Sequence, residues 1–261
     1  MFSKIRSLIF KVDPEKAHTL AIKSLKFNLF PNVFDENKND PIFQTKIFDK
    51  DLDNPIGMAA GFDKNAEVYN SLFKLGFGFV EVGTITPLKQ YGNPKPRVFR
   101  LVEDEALINR LGFNNQGAEI VKERIKRNTK LGLLGINVGP NKDSSDRLND
   151  YLIGLKTFYD EADYITINIS SPNTENLRTF HEGNKLQDLL KSIMEERKNL
   201  KSNIPIAVKV SPDISEDQVN QVSEILLDHE IKAIIVSNTS EATRDKLSNI
   251  QRHQKGGLSG K

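Results

Sequence analysis

Six short runs of apolar, β-branched-rich residues recur from about residue 45 onward, with amphipathic helical patterns between them. Helices are predicted at 148–155, at 66–75 with a stop at Gly76, and after a capping-box sequence at 215–218. Strands that are apolar on both faces and alternate with helices form parallel sheets, either a barrel or a doubly wound sheet. The six runs are 55–60, 77–83, 133–139, 164–169, 204–210 and 233–237.

Polar residues suited to chemistry lie at or after the end of each run, and this distribution favours the barrel. Examples are Lys64, Thr84, Asn137, Lys209 and the segment 168–173. A (β/α)8 barrel collects its active site from the carboxyl ends of all its strands, whereas a doubly wound sheet uses one switch point. No Gly-x-Gly-x-x-Gly pattern follows the first run. We therefore predict an α/β fold of the (β/α)8 TIM-barrel class.

The connection between the second and third runs is long and carries its own strand pattern. Apolar runs at 97–102 and 106–108 flank an acidic turn at 103–105. This arrangement predicts an inserted hairpin that delivers the segment 109–113 to the site.

The first 40 residues differ in character from the remainder, 41–261, which we expect to form the barrel domain. Apolar residues recur at helical spacing in 5–12, and a second helix is expected at 17–25 after the cap pair Asp13-Pro14. Two readings stay open here: surface helices packed on the main domain, or a helical hairpin lying in a membrane interface. No apolar stretch reaches the roughly 18 residues of a membrane-spanning helix.

Composition excludes several kinds of chemistry. The chain has no cysteine, so disulfides, thiolate metal sites and a cysteine nucleophile or base are excluded. The net charge of +2 provides no basic footprint, so no nucleic-acid partner is expected. The histidines His181, His229 and His253 show no ligand spacing, so no metal site is predicted.

Asparagines and lysines form the densest polar set. An asparagine side chain offers both donors and an acceptor, so several around one pocket suit a planar ligand with alternating C=O and N–H groups. Lys64 and Lys209 would add positive charge for an anionic cofactor or a carboxylate substrate, although each alone could be a solvated surface lysine. The asparagines in question are Asn109, Asn137, Asn168, Asn173 and Asn238.

Four segments, 59–64, 109–115, 168–173 and the glycine-rich loop 256–260, together resemble the dihydroorotate dehydrogenase family, more narrowly its membrane-associated, quinone-reducing class. The resemblance implies an FMN enzyme that oxidises dihydroorotate to orotate in pyrimidine biosynthesis. A base removes the C5 proton, the C6 hydride passes to the flavin, and a quinone reoxidises the flavin. The matching base position is Ser171. The soluble class has cysteine at this position, and this chain contains none.

The resemblance also implies three sets of binding residues. For His18 a second interpretation stays open, because a single histidine on an amphipathic helix usually serves packing or lies on the surface. Positions matching flavin contacts are Ala60, Gly61, Phe62, Asp63, Lys64, Thr84, Asn137, Asn168, Lys209, Ser237 and Gly260. Positions matching the orotate pocket are Lys64, Asn109, Arg110, Leu111, Gly112, Phe113, Asn168, Asn173, Asn238 and Thr239. Positions matching the quinone tunnel are His18 and Arg100.

The implied partners are dihydroorotate and a membrane quinone, with the protein a monomer held peripherally on the cytoplasmic side of a bacterial inner membrane. A full barrel has eight strands, and the loops after strands seven and eight commonly bind phosphate; only six βα units are visible here. Two alternatives therefore stay open. One is a C-terminally truncated, catalytically inactive chain that does not hold flavin, and the other is a soluble relative with a different electron acceptor.

Overall fold

The computed structural model describes residues 6, 9–29, 40–242 and 244–260. The strands are β1 (Thr45–Ile47), β2 (Lys50–Leu52), β3 (Gly57–Met58), β4 (Phe79–Ile85), β5 (Val98–Leu101), β6 (Ala106–Asn109), β7 (Leu133–Val138), β8 (Tyr164–Asn168), β9 (Ile206–Lys209), β10 (Ala233–Ile235) and β11 (Gly257–Gly260). The helices are α1 (Pro14–Lys26), α2 (Tyr69–Lys74), α3 (Ala118–Lys126), α4 (Arg147–Phe158), α5 (Gly183–Asn199) and α6 (Glu216–Asp228). Short 3-10 turns lie at Pro41–Phe43, Leu177–His181 and Ile250–His253.

The six predicted strands are confirmed, and they form one parallel sheet in the order β10-β9-β8-β7-β4-β3. Helices follow most of the strands, as expected for repeated βα units. The chain thus contains six strands of a TIM barrel, and their carboxyl ends lie along one edge, where a barrel of this kind gathers its functional side chains.

The two faces of this sheet bury different residues because side chains alternate along a strand. On the outer face, residues such as Val80, Ile136 and Ile165 pack against the helices in the main core. The inner face carries a smaller apolar cluster that includes Leu133 and Tyr164. The hairpin formed by β1 and β2 packs against that smaller cluster through Ile47, Phe48 and Leu52, which closes the amino-terminal end of the sheet.

The inserted hairpin is also confirmed, because β5 and β6 pair antiparallel. The glycine-rich segment at 256–260, expected to be a loop, is instead largely strand β11, which pairs with β6. Glycine is required at its entry, since a Cβ on Gly256 would lie 2.2 Å from the carbonyl oxygen of Asn109. Long-range pairing of this kind leaves no periodic signal in the local sequence.

The helix expected at 66–75 begins three residues later than predicted. Ala66 has a left-handed φ of 53°, which an α-helix does not accommodate. The Asp63 carboxylate accepts the backbone N–H groups of Glu67 and Val68, each at 2.8 Å, and this turn precedes α2. The predicted stop is confirmed: Gly76, with a φ of 91°, follows the end of the helix.

The second N-terminal helix is present as α1. Asp13 caps it by accepting the Lys16 N–H at 2.9 Å, and Pro14 occupies its first position. Of the earlier run at 5–12, residues 5, 7 and 8 lie outside the described residues. Within the described ranges, no helix is long and apolar enough to cross a membrane.

Candidate functional site

A cavity of about 730 Å³ lies at the carboxyl ends of the parallel strands, bounded by α1 and the β5–β6 hairpin. Nearly all residues that the sequence analysis assigned to flavin, orotate or quinone line this one cavity. They come from separate segments of the chain, so only the fold brings them together. The predicted residues in the lining are His18, Ala60, Gly61, Phe62, Asp63, Lys64, Thr84, Arg100, Asn109, Leu111, Gly112, Phe113, Asn168, Ser171, Asn173, Lys209, Ser237, Asn238 and Thr239.

Three predicted residues lie outside the lining. Asn137 is fully buried behind it, where its side chain contacts Thr84 and Asn168. Arg110 directs its guanidinium away from the cavity, over the Phe99 ring and toward three hydrogen-bond acceptors of neighbouring segments. Gly260 lies in β11, paired with Ala106 on the hairpin.

Ser171 lies just beyond the end of β8 and is only 5% exposed. Its Oγ accepts a hydrogen bond from the backbone N–H of Asn173 at 3.2 Å. The Asn173 side chain in turn donates to Asn109 Oδ1 at 3.3 Å, which links this loop to the hairpin. A serine oxygen held in this way is shielded from bulk water and faces a backbone donor that stabilises negative charge on it.

Polar side chains at the ends of β4, β7 and β8 form a continuous hydrogen-bond network. Asn168 Nδ2 donates to Thr84 Oγ1 at 2.9 Å and to Asn137 Oδ1 at 3.1 Å. Thr84 Oγ1 donates to the same Asn137 oxygen at 2.6 Å. On the other side, Asn238 Nδ2 donates to Ser170 Oγ at 2.9 Å. These contacts fix the side chains that face the cavity before any ligand arrives.

Lys209 ends β9 and is 8% exposed. Burial lowers the pKa of its ammonium, and the negative charge of Glu81 opposes that shift. Among the described residues its ammonium makes no hydrogen bond or salt bridge, and the residue lines the cavity. A buried ammonium without a partner is suited to an electron-rich or anionic ligand group.

Lys64 supplies a second cation at the same cavity. Its Nζ donates to the carbonyl oxygen of Gly61. Burial lowers the pKa of Lys64 to about 8, an effect that the nearby Glu15 carboxylate partly offsets and the Arg97 guanidinium reinforces. Gly61 has open space where a side chain would project, so a flat ligand can approach its backbone closely.

Two predicted residues mark the side of the cavity next to α1. His18 donates from Nε2 to the Phe62 carbonyl oxygen at 2.7 Å, and the two rings meet edge to face at 5.3 Å. Burial lowers the pKa of His18, which favours the neutral ring. Arg100 donates to the Val12 carbonyl oxygen at 2.7 Å and stacks over Phe10, so it ties the segment before α1 to the hairpin.

Asp63 lines the cavity, but its carboxylate is occupied by backbone. It is 1% exposed and accepts the N–H groups of the turn that precedes α2. Burial raises the pKa of Asp63, and those hydrogen bonds oppose the shift. Its evident role is to shape the loop that carries Gly61 and Lys64.

One residue at the site was missed from the sequence. Glu81 is 4% exposed and accepts hydrogen bonds from the Asn137 side chain and from two hydroxyl groups inside the sheet. It is the sole charged residue in the apolar run 77–83. A single charge in a buried strand requires partners, and this could have identified Glu81 from the sequence.

The comparisons with known proteins bear on the family of this chain. The family model described as dihydroorotate dehydrogenase matches residues 42–261. Dihydroorotate dehydrogenase (quinone) of Agrobacterium fabrum is 46% identical over 266 residues, covering 100% of this chain and 73% of the relative. The protein of the same name from Bartonella tribocorum is 46% identical and covers 98% of this chain and 71% of the relative.

The solved structures lead to the same family. A crystal structure of DHODH from Eimeria tenella in complex with ferulenol matches with a TM-score of 0.90 and 36% identity. That match covers 95% of this chain and 73% of the Eimeria chain. With a family model over most of its length and relatives that share nearly half of its residues, this chain belongs to the dihydroorotate dehydrogenase family.

Proposed function

We propose that this chain oxidises dihydroorotate to orotate with FMN as its cofactor and a membrane quinone as the final electron acceptor, in pyrimidine biosynthesis. The observation that carries the proposal is the convergence of Ser171, the asparagine side chains, Lys64 and the buried Lys209 on one cavity. The quinone class is supported by the names of the curated relatives and by serine, not cysteine, at the base position.

The residues around Lys209 fit a flavin. The unpartnered ammonium suits the electron-rich edge of the ring, and the space beside Gly61 admits a flat ligand. Hydroxyl and amide groups of Thr84, Asn168 and Ser237 supply donors and acceptors around it. When bound, FMN supplies a two-electron acceptor that takes hydride from the substrate and passes electrons to quinone.

The substrate is expected to bind to the amides nearest Ser171. Asn109, Asn173 and Asn238 present donors and acceptors that match the alternating C=O and N–H groups of a dihydropyrimidine. The Lys64 ammonium is available for the substrate carboxylate. Together these contacts would orient the C5–H bond toward Ser171, and correct orientation is a large part of catalytic acceleration.

Ser171 is the proposed base. A serine hydroxyl can accept a carbon-bound proton only as its own O–H proton leaves, so its oxygen must carry alkoxide character in the transition state. The Asn173 N–H that donates to Oγ stabilises that charge, and the burial of Ser171 keeps competing water away. The O–H proton of Ser171 would pass to a single relay water, and the C5 proton of the substrate would replace it on Oγ.

The N-terminal part, residues 1–40, is proposed to guide the quinone. His18 and Arg100 line the cavity on the side of α1. In and directly after α1, apolar side chains are exposed at Leu20, Phe27 and Leu29. Exposed apolar residues next to basic ones suit a helix that lies on a membrane surface. We propose peripheral attachment to the cytoplasmic side of the inner membrane on this basis.

The test compares electron acceptors for dihydroorotate oxidation in FMN-supplemented protein. The proposal expects turnover with a soluble quinone analogue and far less with fumarate or NAD. Turnover with fumarate or NAD at a rate equal to that with quinone would identify a soluble relative instead. The variant Ser171→Ala should abolish turnover with every acceptor while flavin binding remains.

A second candidate is favoured by one observation, the open edge of the sheet. No strand pairs with the outer side of β10 within the described residues, and Ile234 and Val236 there are 47% and 81% exposed. A chain with this edge could keep the orotate-facing residues yet fail to hold flavin. Purified protein without flavin absorbance, even after incubation with FMN, would establish this catalytically inactive alternative.

A further inference from the structure

Glu81 is a carboxylate inside the sheet that is surrounded by neutral donors. Its Oε1 accepts from Asn137 Nδ2 at 2.8 Å, and its Oε2 accepts from Tyr164 Oη at 3.0 Å and Thr166 Oγ1 at 2.8 Å. The residue is 4% exposed, and none of the salt bridges among the described residues includes it. A buried charge held in this way is costly, so its place in the network needs an explanation beyond local stability.

A carboxylate accepts hydrogen bonds and donates none, so it dictates the orientation of any amide beside it. The Asn137 amide must turn its NH2 group toward Glu81. Its carbonyl oxygen therefore faces the opposite way, where it receives donors from Thr84 and Asn168. A neutral glutamine in place of Glu81 would not impose this direction, because it could donate as well as accept.

The same direction continues outward to the cavity wall. The NH2 group of Asn168 donates to Thr84 and Asn137. Its carbonyl oxygen therefore points the other way and accepts from Ser170 Oγ at 2.8 Å and from Ser170 N at 3.1 Å. The Ser170 hydroxyl, now committed as a donor, accepts from Asn238 Nδ2. Every step in this chain donates toward Glu81.

We infer that Glu81 is a positioning residue: it fixes the direction of the hydrogen-bond chain Asn238 to Ser170 to Asn168 to Asn137, and thereby which edge of each cavity-facing amide meets the ligand. Only the identity of that ligand rests on the proposed function. Glu81 touches neither substrate nor cofactor and acts through Asn137.

The charge of Glu81 adds an effect on Lys209. Glu81 opposes the lowering of the Lys209 pKa by burial, so it helps to keep that cavity cation protonated. The hydrogen-bond direction and the protonation of the cation therefore depend on the same carboxylate. A variant that exchanges the carboxylate of Glu81 with the amide of Asn137 can distinguish a role in hydrogen-bond direction from a role in packing.

The test is a swap of the two groups, measured as urea unfolding of the 261-residue chain at pH 7.0 and 8.5. Asn137→Asp alone sets two carboxylates against each other, and the folded-to-unfolded ratio should fall at least about 100-fold. In the double variant Glu81→Gln/Asn137→Asp, the introduced glutamine donates from Nε2 to the introduced aspartate, which still accepts from Thr84 and Asn168. We expect the double variant to recover to within about tenfold of the parent.

The pH comparison distinguishes direction from packing. The single variant Asn137→Asp can fold by trapping a shared proton between its carboxyl groups, so its stability should fall further from pH 7.0 to 8.5. The double variant has one carboxylate, as the parent has, and should not show that fall. A packing role alone would give the single and double variants the same pH dependence.

Asp163 provides the matched control, since it is also a largely buried carboxylate. It lies before β8, at the opposite end of the strands, and accepts the Leu134 N–H at 2.7 Å. Asp163→Asn should not rescue Asn137→Asp, because the two sites share no partner. A second measurement follows Lys209: amine-reactive labelling at pH 7.0 should be faster in Glu81→Gln, by about tenfold for each unit by which the Lys209 pKa falls.

The expected pattern is rescue by the double variant alone and faster Lys209 labelling in Glu81→Gln. A double variant that does not fold, or is no more stable than Asn137→Asp, would overturn the inference. So would equal rescue by Asp163→Asn, or unchanged Lys209 labelling. None of these measurements needs flavin or substrate. Their outcome can therefore be interpreted even if the proposed function is wrong.

Discussion

The ion pair between Arg97 and Glu15 should decide whether α1 stays docked at the cavity. The Arg97 guanidinium is 5% exposed and donates to both Glu15 oxygens, at 2.6 and 3.1 Å. It also donates to the carbonyl oxygens of Tyr91 and Asn93, at 2.7 and 2.9 Å. The substitution Arg97→Met keeps much of the length of the side chain and removes all four hydrogen bonds.

Removal of one partner of a buried ion pair costs about 3–5 kcal/mol. Because the Glu15 side chain keeps 18% exposure, water can partly replace the lost donors, and we expect the lower end of that range. About 3 kcal/mol corresponds to a local opening equilibrium raised roughly 100-fold, since each 1.4 kcal/mol is a factor of ten. The effect should be confined to α1 and the adjoining hairpin.

Hydrogen exchange measured by mass spectrometry can test this figure directly. Backbone amides of α1 should exchange roughly 100-fold faster in Arg97→Met, while those of α5 keep the parent rate. Arg127→Met is the control, because Arg127 pairs with Glu123 at 3.8 Å on the exposed face of α3, and exposed pairs contribute little. An α1 rate within about threefold of the parent, or an equal rise in α5, would refute the reasoning.

The pH dependence of this ion pair has a definite sign. Hydrogen bonding from Arg97 is the largest cause that lowers the pKa of Glu15 below its ordinary value of 4.5. A lowered carboxyl pKa contributes stability that is present above pH 4.5 and is lost as the pH falls through the folded-state pKa. The difference between parent and Arg97→Met in α1 exchange should therefore shrink below pH 4.5.

Two further perturbations test other parts of the site. Arg178 bridges the loops after β8, β9 and β10 by donating to the carbonyl oxygens of Ser170 and Thr239 and to Asp213. Lysine cannot span all three acceptors, so kcat of Arg178→Lys should fall at least about tenfold when measured under conditions where the variant is fully folded. An unchanged kcat would contradict this role. Because burial lowers the Lys64 pKa to about 8, the parent should gain stability between pH 8 and 10.5, and Lys64→Met should lack that gain in urea titrations across this range.

Periodicity made most of the fold predictable. The six parallel strands are apolar on both faces, so each one appears in the sequence as a continuous run, and the helices between them keep one apolar stripe. The boundary of α2 was less predictable. Its start depends on hydrogen bonds from the turn to Asp63 and on the left-handed Ala66, and neither follows from an apolar pattern.

The residue types at the cavity were predictable, but the direction in which some side chains point was not. Arg110 lies between residues that line the cavity, yet its guanidinium turns to the Phe99 ring and the 254–255 segment, which is distant in sequence. Glu81 points inward because alternate residues of β4 face the inner side of the sheet. The sequence does not reveal which alternate set faces inward, since both sets are mostly apolar.

The central claim is that this cavity binds FMN and positions dihydroorotate against Ser171. The most direct test is an anaerobic, single-turnover measurement in which dihydroorotate is mixed with FMN-loaded protein and the loss of flavin absorbance is followed. We expect complete bleaching by the parent chain, and bleaching at least about 100-fold slower in Ser171→Ala with the same flavin content. Flavin that binds and is not bleached by dihydroorotate, or equal rates in parent and variant, would contradict the claim.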